Sequence, residues 1–235
     1  MKNIAIFGAS GAIGSALVLE ATKHSNVYAF SRNPVKHTDR GFTSLPIDIT
    51  NEPSIFEASS TLDSTIEFDQ IIVATGILHD KNLLPEKSLR DLSLQKFEAL
   101  FKINTIAPAL LMKYFIPKLK KNTRTTFACL SARVGSISDN KLGGWYSYRA
   151  SKSALNMIIM NAAIETARNR PLSIIVGLHP GTVDSSLSKP FQQNIPKESL
   201  FSKTKAAKNL LKTLESLESS DSGKCFDYKG IEISP

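Results

Sequence analysis

Cysteine is scarce: the 235 residues hold two, Cys129 and Cys225, far apart in the chain. That excludes a disulfide framework, and without ligand spacing it gives no zinc module; two buried thiols in a reducing compartment are expected. Histidine is nearly as rare. His24, His37, His79 and His179 show no metal spacing and no cysteine partner, so neither a metal site nor a Cys–His nucleophile is expected. Met1 and Lys2 run straight into a strand-like segment, with no signal peptide and no apolar run long enough to span a bilayer. A cytoplasmic chain without a membrane partner is expected. Acidic residues are in deficit, 21 against 29 Lys and Arg, for a net charge of +8. Nucleic acid would suit that balance. The lysines are scattered, however, and the densest run, Lys118, Lys120 and Lys121, carries no interleaved aromatics. It reads as a solvated helix end, and no nucleic-acid partner is expected.

Apolar residues make up 42% of the chain, enough for one large core and too many for disorder. Strand-like runs at residues 2–7, 27–31, 43–49, 70–75, 125–130, 172–178 and 225–233 alternate with helical stretches at 12–23, 51–62, 92–119, 148–168 and 205–217. Strands separated by crossover-length helices predict an α/β fold, a single-domain, doubly wound parallel sheet with helices on both faces. No internal repeat or linker divides the chain. Residues 182–202 lack periodicity and read as a long substrate loop or lid. In such sheets ligands bind at the carboxyl ends of the strands, and the motifs below fall there.

Gly8-Ala9-Ser10-Gly11-Ala12-Ile13-Gly14 joins the first strand to the first helix. Glycines there permit a tight turn, let backbone approach a pyrophosphate and let the helix pack close; the helix N-terminus adds free N–H groups. A dinucleotide site is expected. After the second strand come Ser31, Arg32 and Asn33. No acid is present to bind a ribose 2′-hydroxyl, and Arg32 suits a 2′-phosphate. The cofactor expected is therefore NADP(H) in preference to NAD(H).

Tyr148 and Lys152 are four residues apart on a predicted helix and share one face. An ammonium one turn away, like the positive ring of an oxidised nicotinamide, favours the phenolate and would fit Tyr148 for proton transfer to a carbonyl or from an alcohol. Tyr146 is the local rival, but position 150 is alanine. Ser131, at the end of the fifth strand, could hydrogen-bond a substrate oxygen as charge develops. Asn104 lies four residues before Pro108, which has no N–H to give its carbonyl; a kink is expected there.

These segments together resemble the short-chain dehydrogenase/reductase family. Among its members the C-factor-type subgroup is similar in residues 143–152, in Pro180-Gly181-Thr182-Val183-Asp184, in Leu187-Ser188-Lys189-Pro190-Phe191 and in residues 223–228. The glycine loop departs from the usual G-x-x-x-G-x-G pattern, with Ala12 at the middle glycine. The resemblance implies a Rossmann-type sheet of about seven strands and a homodimer or homotetramer built on the long fourth and fifth helices. It makes Asn104, Ser131, Tyr148 and Lys152 the catalytic set, Asn104 holding a water that links the lysine to solvent. It places Asp48 and Ile49 beside the adenine, Ala74-Thr75-Gly76 where the family often has Asn-Ala-Gly, and Pro180, Gly181, Val183 and Ser185 beside the nicotinamide amide. A small carbonyl or alcohol substrate follows. A nucleotide-sugar epimerase fails on length. A non-catalytic NAD(P)-binding signalling protein is the alternative, separable by NADPH consumption on aldehydes and ketones. Substrate choice is expected to lie in residues 80–84, 136–145 and 182–202, which carry no readable code.

Overall fold

Residues 2–7 alternate faces, and both faces are covered. In β1 (Lys2–Phe7), Ile4 and Ile6 enter one apolar cluster while Ala5 and Phe7 enter another. This is the period-2 logic of a strand buried on both sides. The computed structural model describes residues 1–34, 41–81, 83–193 and 195–235. His37, and positions 82 and 194 within two of the expected specificity loops, lie outside the described residues.

Besides β1, the strands are β2 (Ser25–Ser31), β3 (Phe42–Pro46), β4 (Gln70–Val73), β5 (Thr125–Leu130), β6 (Ser173–His179), β7 (Thr182–Val183), β8 (Leu200–Phe201) and β9 (Cys225–Asp227). Seven of them form the main parallel sheet in the order β3-β2-β1-β4-β5-β6-β9. Helices α1 (Ala12–Ala21) and α6 (Lys203–Ser216) cover one face through Ala16, Leu17, Ala207, Leu210 and Leu214. On the other face lie α2 (Glu52–Ser60), α4 (Ala107–Phe115) and α5 (Tyr146–Ala167), packed through Ile55, Leu111, Phe115, Leu155 and Ile159. Phe7 stacks on Phe30 at 4.5 Å and meets Phe115 edge-on at 4.7 Å. Each such ring contributes about 1.5–3 kcal/mol by burial. Because β1 pairs with both β2 and β4, the strand order reverses there, and a crevice opens at the carboxyl ends.

The expected kink takes a definite form. Between α3 (Leu94–Phe101) and α4 the chain makes one π turn, Lys102–Ile106, in which the Ala107 N–H reaches back five residues to the Lys102 carbonyl. The widened turn absorbs the N–H that Pro108 lacks and moves its ring off the preceding carbonyl. Contrary to the expectation from the sequence, the helical stretch Leu94–Lys118, with mean hydropathy 1.3, is long and apolar enough to cross a membrane by length and composition. Its charged residues interrupt any unbroken apolar run, and Leu111, Met112 and Phe115 spend its apolar face on the sheet.

Two further segments take forms the sequence did not specify. The last strand ends at Asp227 because the Asp227 carboxylate accepts the N–H groups of Lys229 and Ile231, folding the chain back through Gly230 at φ +78°. Residues 182–202 are a stapled excursion: β7 (Thr182–Val183) pairs in parallel with β8 (Leu200–Phe201) at its base, and the Ser188 hydroxyl donates to the Val183 carbonyl.

Candidate active site

The glycine loop is shaped by close approach. Gly8 has φ +80°, and a Cβ on Gly14 would lie 2.0 Å from the Gly8 carbonyl oxygen. Gly14 thus serves close packing of the helix on the turn, while no side chain among the described residues caps α1, leaving its first-turn N–H groups beside the crevice. A cleft of about 240 Å³ opens there, lined by Gly8, Ser10, Gly11, Ser31, Arg32, Asp48, Ile49, Ala74, Thr75 and Gly76. Phe30, Ile47, Thr50, Ile77 and Ile103, which the sequence did not single out, complete it. Ala12, Gly14 and Asn33 do not line it; the first two lie within the opening turn of α1, and Asn33 is an exposed loop residue. Two features suit this cleft to a dinucleotide: the uncapped helix end, and the Thr75 hydroxyl, buried without a hydrogen-bond partner among the described residues.

Arg32 is exposed, while Ser31 is buried and donates its hydroxyl to the Asn33 carbonyl at 2.5 Å. The N–H and hydroxyl of Thr50 donate to the Asp48 carboxylate at 2.9 and 2.8 Å. These bonds, more than the Arg32 charge nearby, hold its pKa below the usual value.

Beside the cleft lies a second cavity of about 250 Å³. Ile13, Ser131, Tyr148, Pro180, Gly181, Val183 and Ser185 border it, with Leu78, Val134, Trp145, Leu187, Phe191 and Ile195 as an apolar wall. Trp145 packs on Phe191 at 4.9 Å and on Tyr148 at 6.2 Å. His79 follows β4 and is half-buried. Its Nε2 lies 3.0 Å from the Leu187 carbonyl and its ring meets Phe191, joining two loops. His179 borders the cavity too; burial lowers its pKa to about 4, so it is neutral.

Three residues of α5, Tyr148, Lys152 and Asn156, and Ser131 just past the end of β5 form the polar centre. Lys152 is buried, donates to the Leu130 carbonyl at 2.7 Å, and lies 5.9 Å from the Tyr148 ring centroid. A Cβ on Gly76 would lie 3.5 Å from Lys152 Nζ, so Gly76 leaves the ammonium open space. Ser131 donates to Asn156 Oδ1 at 2.6 Å. Asn156 escaped the sequence reading, although Tyr148, Lys152 and Asn156 recur every four residues on one helical face. Burial pushes the Tyr148 pKa up to about 12 and pulls Lys152 down to about 8. The spacing in the sequence leads to the expectation of a lowered phenol; here the phenol is raised, and the cause is desolvation by burial. Burial also raises Cys129 to about 12 and Cys225 to about 11, which leaves both as protonated thiols.

Asn104 is fully buried beside this centre. Its side chain accepts the Ile77 N–H at 2.9 Å, donates to the Ile77 carbonyl at 2.8 Å and donates to Ser151 at 3.2 Å. It ties the end of β4 to α5, a brace across the gap where Ala74 offers no polar side chain.

A family model for short chain dehydrogenases matches residues 2–196. The chain belongs to this family. It is thus related to oxidoreductases. The C-signal protein of Myxococcus xanthus is 29% identical over 147 residues, covering 62% of this chain and 82% of that protein. A 1-hydroxy-2-glutathionyl-2-methyl-3-butene dehydrogenase of Rhodococcus sp. is also 29% identical, over 186 residues, covering 78% and 76%. Among solved structures, the NADPH-bound carbonyl reductase from chicken fatty liver superposes with TM-score 0.85 at 24% identity, covering 100% of this chain and 94% of that one. The C-factor resemblance and the seven-stranded Rossmann-type sheet are both borne out.

Proposed function

We propose that this chain is an NADP(H)-dependent carbonyl reductase that transfers hydride between nicotinamide and a small carbonyl or alcohol. The observation that carries the reading is convergence: Ser131 and Tyr148 border one cavity, Lys152 stands behind them, and the glycine-loop cleft adjoins it. Within this reading Gly8, Ser10, Gly11 and the first turn of α1 would hold the pyrophosphate, the Thr75 hydroxyl, without a partner among the described residues, would gain one, and Arg32 would bind the 2′-phosphate. A bound nicotinamide would supply the hydride. Tyr148 donates its hydroxyl proton to the substrate oxygen, and Ser131 rotates from Asn156 to hydrogen-bond that oxygen as charge develops. Lys152 stabilises the resulting phenolate by its charge. The apolar wall excludes water.

The NADPH-bound carbonyl reductase relative supports the cofactor choice, as does the benzil reductase of Bacillus subtilis, 25% identical and covering 97% of this chain, the substrate type. The test is NADPH consumption against aldehydes and ketones by the parent and Tyr148→Phe. Turnover in the parent and its loss in the variant are expected. NADPH binding without turnover on any substrate would favour the second reading, a non-catalytic NAD(P)-binding signalling protein, which the similarity to C-signal keeps in view.

The same proposal extends to assembly and place. Met157, Met160 and Ile164 form an exposed apolar stripe on α5, with Ile106 exposed at the π turn. Large exposed apolar side chains at helical spacing suit burial against a second copy, as a homodimer or homotetramer. Light scattering on the eluted protein tests this. A cytoplasmic protein with no nucleic-acid or membrane partner completes the proposal.

A further inference from the structure

Glu86 has no exposed surface, and no salt bridge reaches it among the described residues. A carboxyl removed from water demands strong hydrogen bonds. Both of its oxygens are used by one residue: the Ser147 hydroxyl donates to Oε1 at 2.5 Å and the Ser147 N–H to Oε2 at 3.3 Å. Its backbone joins in, since the Trp145 N–H donates to the Glu86 carbonyl at 2.6 Å. Trp145 and Ser147 flank the start of α5, and Tyr148 is the next residue.

This end of α5 needs such a hold. Trp145 precedes the helix in the left-handed region, at φ 51°, with no side-chain capping bond of its own. A non-glycine residue there is strained by roughly 1–3 kcal/mol, and Gly143 and Gly144 before it, both at φ 64°, supply little rigidity. The Glu86 carboxyl supplies the missing cap from a distant segment. The loop carrying Glu86 is itself pinned, because Asp91 accepts the N–H groups of both Lys87 and Ser88. A braced loop after β4 therefore fixes the turn that presents Tyr148, and with it the Trp145 ring that walls the second cavity.

We infer that Glu86 is a positioning residue: through its hydrogen bonds to Ser147 and Trp145 it sets the start of α5 and so the placement of the Tyr148 hydroxyl. The kinetic part rests on the carbonyl-reductase reading; the placement itself does not. Displacing a reacting group by about 1 Å costs on the order of 100-fold in rate.

Three variants test this. Glu86→Ala removes the cap. Glu86→Gln keeps it, because an amide oxygen accepts the Ser147 N–H while the amide nitrogen donates to the hydroxyl. Ser147→Ala removes only the hydroxyl bond. Glu86→Ala should lower kcat about 10–100-fold, with NADPH affinity within about twofold. Glu86→Gln should return kcat to within about threefold of the parent. If Glu86→Ala does not fold, Ser147→Ala, expected to lose about threefold to tenfold in kcat, decides the matter. A second readout is independent of turnover. Trp145 is the only tryptophan, so emission reports this turn directly; it should shift to longer wavelength and become more accessible to quencher in Glu86→Ala and not in Glu86→Gln. Parental kcat and emission in Ser147→Ala and in a folded Glu86→Ala would overturn the inference, as would failure of Glu86→Gln to rescue. A parent without turnover would sink the reductase reading while leaving the emission test of Glu86 intact.

Discussion

Ser131 donates a hydrogen bond from its hydroxyl to Asn156 Oδ1 across 2.6 Å, so the group proposed to meet a substrate oxygen is already held by a side chain one turn beyond Lys152. That hold fixes the position of Oγ but occupies its proton. Asn156→Ala should leave the hydroxyl free to wander and lower kcat about tenfold, whereas Ser131→Ala, which removes the donor itself, should lower it about 100-fold. NADPH affinity should change little in either. Steady-state kinetics paired with cofactor titration checks this; a parental kcat in Asn156→Ala would show that Ser131 needs no holder.

Tyr148 sets the expected pH behaviour. Burial pushes its pKa up to about 12, so the phenol remains protonated through neutral pH. Proton donation, the direction of carbonyl reduction, should therefore persist as pH rises, while alcohol oxidation, which needs the phenolate, should climb with pH. Tyr148→Phe should reduce turnover about 10²–10⁴-fold in both directions. Tyr146→Phe is the control and should do far less. Rates measured in both directions from pH 6 to 10 test the assignment; an oxidation rate flat over that range would contradict it.

The parts of this architecture carried by local pattern were legible in the sequence. Strands such as 125–130 are apolar on both faces, and Tyr148 and Lys152 share a face by spacing alone. Glu86 was not legible, because its partner lies 61 residues away and nothing local marks a glutamate as buried. Asn104 was found, yet its bonds to Ile77 depend on how the π turn sits against the segment after β4. The π turn was legible only as a kink: Pro108 dictates that an N–H is missing, whereas tertiary packing decides how the helix absorbs the loss. The lowered phenol pKa was expected from spacing, but desolvation depends on burial, which spacing does not encode.

Lys152 makes a stability prediction whose sign follows from burial. Its pKa falls from an ordinary 10.5 to about 8 in the fold, so the unfolded chain binds its proton more readily. Between those values the unfolded state holds more protons, and stability should rise with pH. Lys152→Met, which carries no proton, should lack that rise. Denaturant unfolding of both proteins from pH 7.5 to 10 measures the difference. Parallel curves would mean that Lys152 keeps an ordinary pKa in the fold.

Cofactor choice turns on Arg32, exposed after β2 at the edge of the first cleft. No carboxylate ends that strand, and the Ser31 hydroxyl is spent on the Asn33 carbonyl, which leaves the guanidinium as the main donor for a 2′-phosphate. A hydrogen bond to a charged group contributes about 1.5–3 kcal/mol, or roughly 10–150-fold in affinity. NADPH should bind more tightly than NADH by a factor in that range, and the gap should narrow as salt rises, because the pair is exposed to screening. Arg32→Ala should weaken NADPH and leave NADH nearly unchanged, since only the former carries the phosphate. Ser31→Asp should go further, adding an acceptor for a ribose hydroxyl and repelling the phosphate. Fluorescence titration of both cofactors against the parent and the two variants decides it: equal parental affinities, or equal losses in Arg32→Ala, would make Arg32 a solvated loop residue with no part in the choice.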